Sequence, residues 1–419
     1  MHDKNPNYWT ITLVAAAILL VAEGTRRSLG LFVSPLNTST GLGIASVSFA
    51  MAVGQFIWGA AQPIAGAVAD RYGPGRVLVV GFILLAVGSA LTPYMSTSAG
   101  LIFSIGVLTA AGGGACSFSV LFGAAAHRLP AENRGVASGI IGAGGSLGQF
   151  LFAPILQKLI SGFGVMTAMW SVAIVTIAAL PLARVLRRQS AATYSNSGPD
   201  LAARPSSVSP QAPEQTMRAA LKQALADRSY LLLHASFFTC GFHIALLMTH
   251  LPGEVQLCGL PPQVASWSLA IIGLANIAGS LAVGWGTQKY RSKLILFWMY
   301  FSRAILIGAY LYAPKTATTF YLFAAGLGLT WLATVPPTAA LVGKFFGTRY
   351  LATLFGLTLL SHQVGGFFGA WLGGIAVTEY GNYQSMWIAD IVLALIAAFC
   401  NLPIKEALII KPTPTLKTA

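Results

Sequence analysis

Residues 66–76 read GAVADRYGPGR. Gly66 is followed four residues later by Asp70, Arg71 and Tyr72, and then by Gly73, Gly75 and Arg76. A partial copy stands at residues 284–290, GWGTQKY, with Gly284 at the same distance from Gln288, Lys289 and Tyr290. A second pair lies further on. RGVAS opens at Arg134 and reaches Ser146 after twelve residues; RYLAT opens at Arg349 and reaches Ser361 after twelve. The copies are offset by 218 and 215 residues. Two matched segments at nearly one offset indicate a duplicated unit of about half the chain.

Composition sets the solvent of that unit. Hydrophobic residues make up 55% of the 419 residues and charged residues 9%, against about 25% charged in soluble domains. Mean hydropathy is +0.71. Such a chain cannot cover a water-facing surface, so a polytopic all-α membrane protein follows. Apolar runs long enough to span a bilayer are predicted at 8–36, 45–69, 77–96, 101–126, 134–159 and 166–186, then at 229–252, 264–288, 293–313, 318–343, 350–377 and 383–403. These are helices 1 to 12. They divide into a six-helix bundle over 1–188, a linker over 189–228 and a second bundle over 229–419. The linker opens Ser- and Pro-rich. It closes with Met217, Leu221 and Leu225 interleaved with Arg218 and Lys222, the pattern of an amphipathic surface helix.

The net charge of +14 would suggest nucleic acid in a soluble protein. Here 20 of the 25 basic residues fall in alternate loops on one side, Lys158 and Lys315 fall on the other, and Arg26, Arg27 and Arg303 lie inside helices. The positive-inside rule places the loaded side, both termini and the linker in the cytoplasm. Nucleic acid is therefore not expected as a partner; the bilayer is. Cys116, Cys240, Cys258 and Cys400 have no paired spacing, so neither a disulfide framework nor a metal site is expected. No nucleophile–base motif or phosphate loop supports an enzyme, and no cofactor is implied.

Charges within the spans need an explanation, because each costs roughly 2.5–3.5 kcal/mol at mid-bilayer on insertion scales. Helix 1 carries Glu23, Arg26 and Arg27. Their i,i+3 and i,i+4 spacing lets all three meet on one helix. One Arg neutralises Glu23 and leaves a surplus charge of +1. A spare guanidinium is a natural carboxylate ligand, since its fork matches two oxygens. The alternative is a self-contained ion cluster with one Arg reaching toward the interface. In helix 7, His243 and His250 are seven apart and fall on one face, and their titration range suits proton exchange. Helix 10 holds Trp331 before Pro336–Pro337, a kinked gate with an apolar wall; Asn276 of helix 8 and Ser119 of helix 4 are further polar candidates. Arg303 and Asp390 are expected to be structural, each bonded to backbone or a neighbouring helix.

GAVADRYGPGR, after helix 2, resembles the loop signature of the major facilitator superfamily. With twelve helices and a central linker the resemblance covers essentially the whole chain. It implies two pseudo-symmetric six-helix bundles, a cavity lined by helices 1, 4, 7 and 10, and a gating latch formed by Asp70, Arg71 and Arg76. The second copy departs from the pattern, since Gln288 replaces the acid. EGTRRSLGLFVSPL in helix 1, TCGFHIALLMTHLP in helix 7 and FGTRYLATLFGLTLLSHQVGGFFGAWLGG in helix 11 resemble bacterial relatives of the monocarboxylate transporters. The resemblance implies a monomeric secondary transporter in the bacterial cytoplasmic membrane that moves a small organic anion, a monocarboxylate, with a proton. Arg26, Arg27, His243, His250, Trp331, Asn276 and Ser119 are then candidates for substrate binding, and Glu23, His243 and His250 for the proton. Two rivals stay open: an exporter of cationic drugs with Glu23 as cation site, and a substrate sensor that binds without transporting.

Overall fold

The helices end where the chain loses the means to continue them. In GAVADRYGPGR, Gly73 takes φ 92°, a value that L side chains rarely adopt, and its N–H bonds back to the carbonyl of Ala69. Pro74 then opens the next helix, where its missing N–H costs nothing. The segment that suggests the fold is thus a hard turn between two helices.

The computed structural model describes residues 8–126, 129, 134–186, 217–347 and 351–406, and every regular element among them is a helix. Helix α1 runs Tyr8–Arg27 and continues through a tight turn at Leu29–Phe32 into Val33–Thr40. Then come α2 (Ile44–Tyr72), α3 (Pro74–Leu91) and α4 (Ser98–Ala125). Arg134–Ala178 is two helices, α5 (134–163) and α6 (165–178), which meet at Gly164 with φ 81°. The second half comprises α7 (Arg228–Leu257), α8 (Pro262–Lys289), α9 (Ser292–Tyr312), α10 (Ala317–Phe346), α11 (Leu351–Tyr380) and α12 (Gln384–Asn401). Ten stretches of the described residues are long and apolar enough to cross a membrane. One of them, Val136–Val185, contains both α5 and α6. Helix α11 is not among the ten and completes the twelve.

Of the expected linker, residues 189–216 lie outside the described residues. Met217–Ala226 is a short helix, as its pattern predicts, but the face it buries is Ala220 and Ala224. Met217 and Leu225 stay exposed. Asp227 caps the start of α7 by accepting from the N–H of Tyr230 at 2.9 Å. At the same end of the molecule the Glu406 carboxylate accepts from the N–H groups of Ser292 and Lys293 at the start of α9 and pairs with Lys344 of α10 at 2.5 Å. An anion there complements the helix N-terminus and ties α9, α10 and the end of α12 together.

Packing repeats between the halves. Helix α1 lies along α5 as α7 lies along α11, and α2 packs on α4 as α8 packs on α10. The first two contacts are very close. A methyl on Gly148 would stand 2.1 Å from the Leu20 carbonyl oxygen, and one on Gly365 2.0 Å from that of Phe238. Small residues at these points let backbones approach, which is how helices associate where lipid is as apolar as side chains. The halves meet through α2 with α11 and α5 with α8. Gln363 lies over Gly59, Ser48 meets Gly374, and Gly273 lies against the Ser146 carbonyl. Gly30 beside the Met248 carbonyl adds a contact between α1 and α7. At the opposite end of the four seam helices, a methyl on Gly66, Gly139, Gly284 or Gly356 would meet nothing within 4 Å. The halves therefore touch from mid-depth to the end remote from the Gly73 turn, and part toward the turn.

Gly365→Ala should lower the thermal midpoint in detergent by an amount equivalent to about 1–3 kcal/mol, the usual cost of overpacking. Gly356→Ala, in open space on the same helix, should not lower it.

Candidate functional site

Helix α1 loses its regular pitch at Ser28, one residue after the charged triplet. The Ser28 hydroxyl donates back to the Gly24 carbonyl and the Thr25 hydroxyl to that of Val21, a pattern that loosens a helix. Just before the break, Glu23 receives both guanidinium groups. Arg26 donates from Nε to Oε1 at 3.3 Å and from an Nη to Oε2 at 2.9 Å; Arg27 donates from Nε to Oε2 at 2.7 Å. The triplet carries a net charge of +1.

The two arginines then part. Arg26 turns toward α2, where its other Nη donates to Gln55 at 3.2 Å and its guanidinium carbon lies 4.0 Å from the centre of the Trp58 ring. Of its five N–H donors, three are engaged and two remain. Arg26 lines a cavity of about 30 Å³ together with Gln55, Met51, Thr109, Met248 and Thr249. That volume admits a water molecule or two. Arg27 turns the other way, into the seam. It donates to Gln149 of α5 at 3.4 Å, and Gln149 donates to the Leu269 carbonyl of α8 at 3.0 Å. The spacing 23–26–27 treats both arginines alike; the fold sends one to a cavity and the other to an inter-half hydrogen-bond chain. Gln55, Trp58 and Gln149 are the residues that sequence reading missed. Gln55 and Trp58 stand three apart on one face of α2, a detectable polar–aromatic pair, but α2 was not expected to line the cavity.

The arrangement is a cationic, partly buried guanidinium between two helical halves. The sequence model of the Major Facilitator Superfamily matches residues 13–370. The chain belongs to the major facilitator superfamily. It is a multi-pass membrane transporter and not an enzyme. Monocarboxylate transporter 13 of Rattus norvegicus is 26% identical over 390 residues, covering 91% of this chain and 85% of that one. The oxalate:formate antiporter of Oxalobacter formigenes is 24% identical over 415 residues, 94% and 89% of the two chains. Among solved structures, the D-xylose-proton symporter superposes with a TM-score of 0.72 at 15% identity over 94% of this chain and 97% of that one. An inward open form of the Escherichia coli xylose transporter gives 0.71 at 15% identity over 96% and 97%. At that identity the structural likeness concerns the fold alone.

Within this facilitator fold the other expected residues scatter. His243 and His250 do not share a cavity face. His243 is fully buried and its Nδ1 stands 2.5 Å from Oδ2 of Asp390 on α12. His250 packs over Gly373 of α11, and its Nε2 pairs with the Ala370 carbonyl at 2.7 Å. Seven residues along α7 carry the chain far enough in depth to change neighbours. Trp331 is no cavity wall either. It is fully buried in a four-residue break of α10, with its ring 6.0 Å from that of His243. The break runs 331–334, ahead of Pro336 and Pro337, which lie in the first turn of the helix resuming at Val335. Asn276 is a brace: its Nδ2 donates to Ser146 of α5 at 2.8 Å and its Oδ1 accepts from the Leu332 N–H in the α10 break at 2.9 Å. Ser119 is exposed and donates to Gln62 of α2 at 3.4 Å. Arg71 and Arg76 are exposed at the α2–α3 turn; the Asp70 side chain lies outside the described ones. Arg303 donates to the Thr330 carbonyl at 2.7 Å, on the other side of the α10 break.

Asn276→Ala would leave the Leu332 N–H in the break without its acceptor. It should lower stability by about 1–3 kcal/mol, the cost of an unsatisfied buried group, seen as a lower thermal midpoint. Ser119→Ala should leave that midpoint unchanged.

Proposed function

We propose that this facilitator is a secondary active transporter of a small organic anion, a monocarboxylate, moved together with a proton by alternating access between its two halves. The observation that carries the reading is the Arg26 guanidinium: anchored on Glu23, stacked on Trp58, held by Gln55, and left with two free N–H donors beside a cavity between the halves. Such a fork binds a carboxylate through two parallel charge-assisted bonds. The shared carboxylate of Glu23 already faces two cations, so it offers a lipophilic cation no vacant anionic site. The names of the relatives, monocarboxylate transporter and oxalate:formate antiporter, support the same substrate class.

In this reading the chain is a monomer in the bacterial cytoplasmic membrane with both termini inside, as its basic loops suggest. The halves comprise residues 1–188 and 229–419, joined by the linker 189–228. The end at which they part is then the cytoplasmic one, and Asp70, Arg71 and Arg76 form the latch that closes it in the alternate state. Arg27 acts on the substrate indirectly, by holding Glu23 and the seam.

Arg26→Gln should abolish uptake into proteoliposomes and weaken carboxylate binding on the order of a hundredfold or more, as expected for losing one partner of a buried charge pair. Thermal-shift titration with formate, acetate and lactate reads the binding, and size-exclusion chromatography the folding. Arg26→Lys keeps the charge but not the fork and should restore only part of the activity. Full uptake by Arg26→Gln would remove the role assigned to Arg26.

A further inference from the structure

Helix α7 meets α12 in the interior of the C-terminal half through two ionisable groups that the anion site does not use. His243 and Asp390 are both fully buried and stand 2.5 Å apart, Nδ1 to Oδ2. A ring nitrogen and a carboxylate oxygen within hydrogen-bond reach hold a proton between them. The far atoms of the same pair, His243 Nε2 and Asp390 Oδ1, are buried with no hydrogen-bond partner. Each is a vacant position for a proton. The other proton candidates differ: the Glu23 carboxylate already accepts three N–H bonds, and His250, whose Nε2 pairs with the Ala370 carbonyl and whose buried Nδ1 is unpartnered, stands at the closed end of the seam and forms no ion pair with a carboxylate among the described residues.

The surroundings of the pair connect it to the moving parts. Arg303 of α9 lies within electrostatic reach of His243. It donates to Thr330 at the edge of the α10 break and keeps two buried nitrogens, Nε and Nη1, unpartnered. Tyr300 of α9, Cys240 of α7 and His362 of α11 are the remaining titratable groups around this cluster; Cys240 touches Thr334 inside the break at 3.2 Å and faces His362. His362 is the half-buried member of the set, the others being enclosed.

We infer that His243 and Asp390 form one proton-binding site whose charge state governs how Arg303 holds the α10 break. This rests on the symport reading above and names the group that carries its proton. With Asp390 ionised and His243 neutral, the pair carries −1 and compensates Arg303. One proton taken from solvent onto His243 Nε2 or Asp390 Oδ1 makes the pair neutral and leaves the cluster at +1. Charge inside a membrane protein is costly unless compensated. The triplet Glu23–Arg26–Arg27 carries +1 when empty and zero with a carboxylate bound. Adding the proton at the second site restores the total, so the empty carrier and the doubly loaded one hold the same buried charge. Anion alone or proton alone changes it. That equality couples the two fluxes without direct contact between the ligands.

The test reads protons taken up per carboxylate bound, using a pH indicator on detergent-purified protein with acetate or lactate as probe. Wild type should take up about one proton per carboxylate bound, following the one-site scheme above; Asp390→Asn and His243→Gln should reduce that ratio at least tenfold, and Cys400→Ser should not. An unchanged ratio in Asp390→Asn overturns the inference and leaves the symport reading standing. A wild type that takes up no proton overturns both. Should the variants fail to fold, the wild type carries the readout. Among the described aspartates, Asp390 alone lies midway along a membrane helix. With carbon-13 aspartate, its carboxylate infrared band should change when acetate binds, because the proton that arrives with the anion changes the hydrogen bonding of that carboxylate. A band that does not change when acetate binds overturns the proposal.

Discussion

Two guanidinium groups share one carboxylate near the end of a membrane helix, and the rest of the molecule is arranged around that compromise. A lone Arg inside the bilayer is costly. Placing Glu23 three and four residues before Arg26 and Arg27 lowers the cost within a single helix, before any tertiary contact forms. It cannot remove the surplus charge. That surplus is held by groups from other helices: Gln55 and Trp58 of α2 around Arg26, and Gln149 of α5 beside Arg27. The cluster thereby joins α1 to both neighbouring helices, and through Gln149 to the other half.

Irregular backbone recurs where function is proposed. Helix α1 is interrupted after Arg27, α4 at Cys116–Ser117 and α10 over 331–334. Lipid would leave the freed backbone groups unbonded, so such breaks persist only inside protein. At α10 the partners can be named. Thr330 gives its carbonyl to Arg303 of α9, and Leu332 gives its N–H to Asn276 of α8. Asn276 also grips Ser146 across the seam. One amide thus links a helix break in the C-terminal half to a helix of the N-terminal half. Arg303 provides the second hold, and its own environment contains the His243–Asp390 pair. The break is a point at which both halves and a buried charge cluster can act on the same few backbone groups.

Much of this was open to inspection in the primary structure. Twelve apolar runs, the repeated segments and the Glu23–Arg26–Arg27 spacing all survive in the fold. The assignment of His243 and His250 to one face follows from helical geometry and is correct as geometry. It failed as a guide to neighbours, because seven residues span nearly two turns and roughly 10 Å of depth. Trp331 and Asn276 carry no signal beyond residue type and helix number; Trp331 lies in the α10 break and Asn276 bonds to it. Gln149 had no signature: a single polar residue in an apolar helix shows no periodicity to read.

Sequence alone determined what is local: which segments prefer lipid, where Gly and Pro stop a helix, and that an acid placed three and four residues before two bases must meet them. Tertiary structure alone decided which arginine faces a cavity, which histidine meets an aspartate and which carbonyl an amide reaches. The reason is reach. Hydropathy and helix pitch act within a turn or two of chain, whereas Arg27 finds Gln149 across 122 residues and His243 finds Asp390 across 147. A buried polar group must be satisfied wherever a partner comes within about 3 Å, and only the packing of whole helices sets where that is.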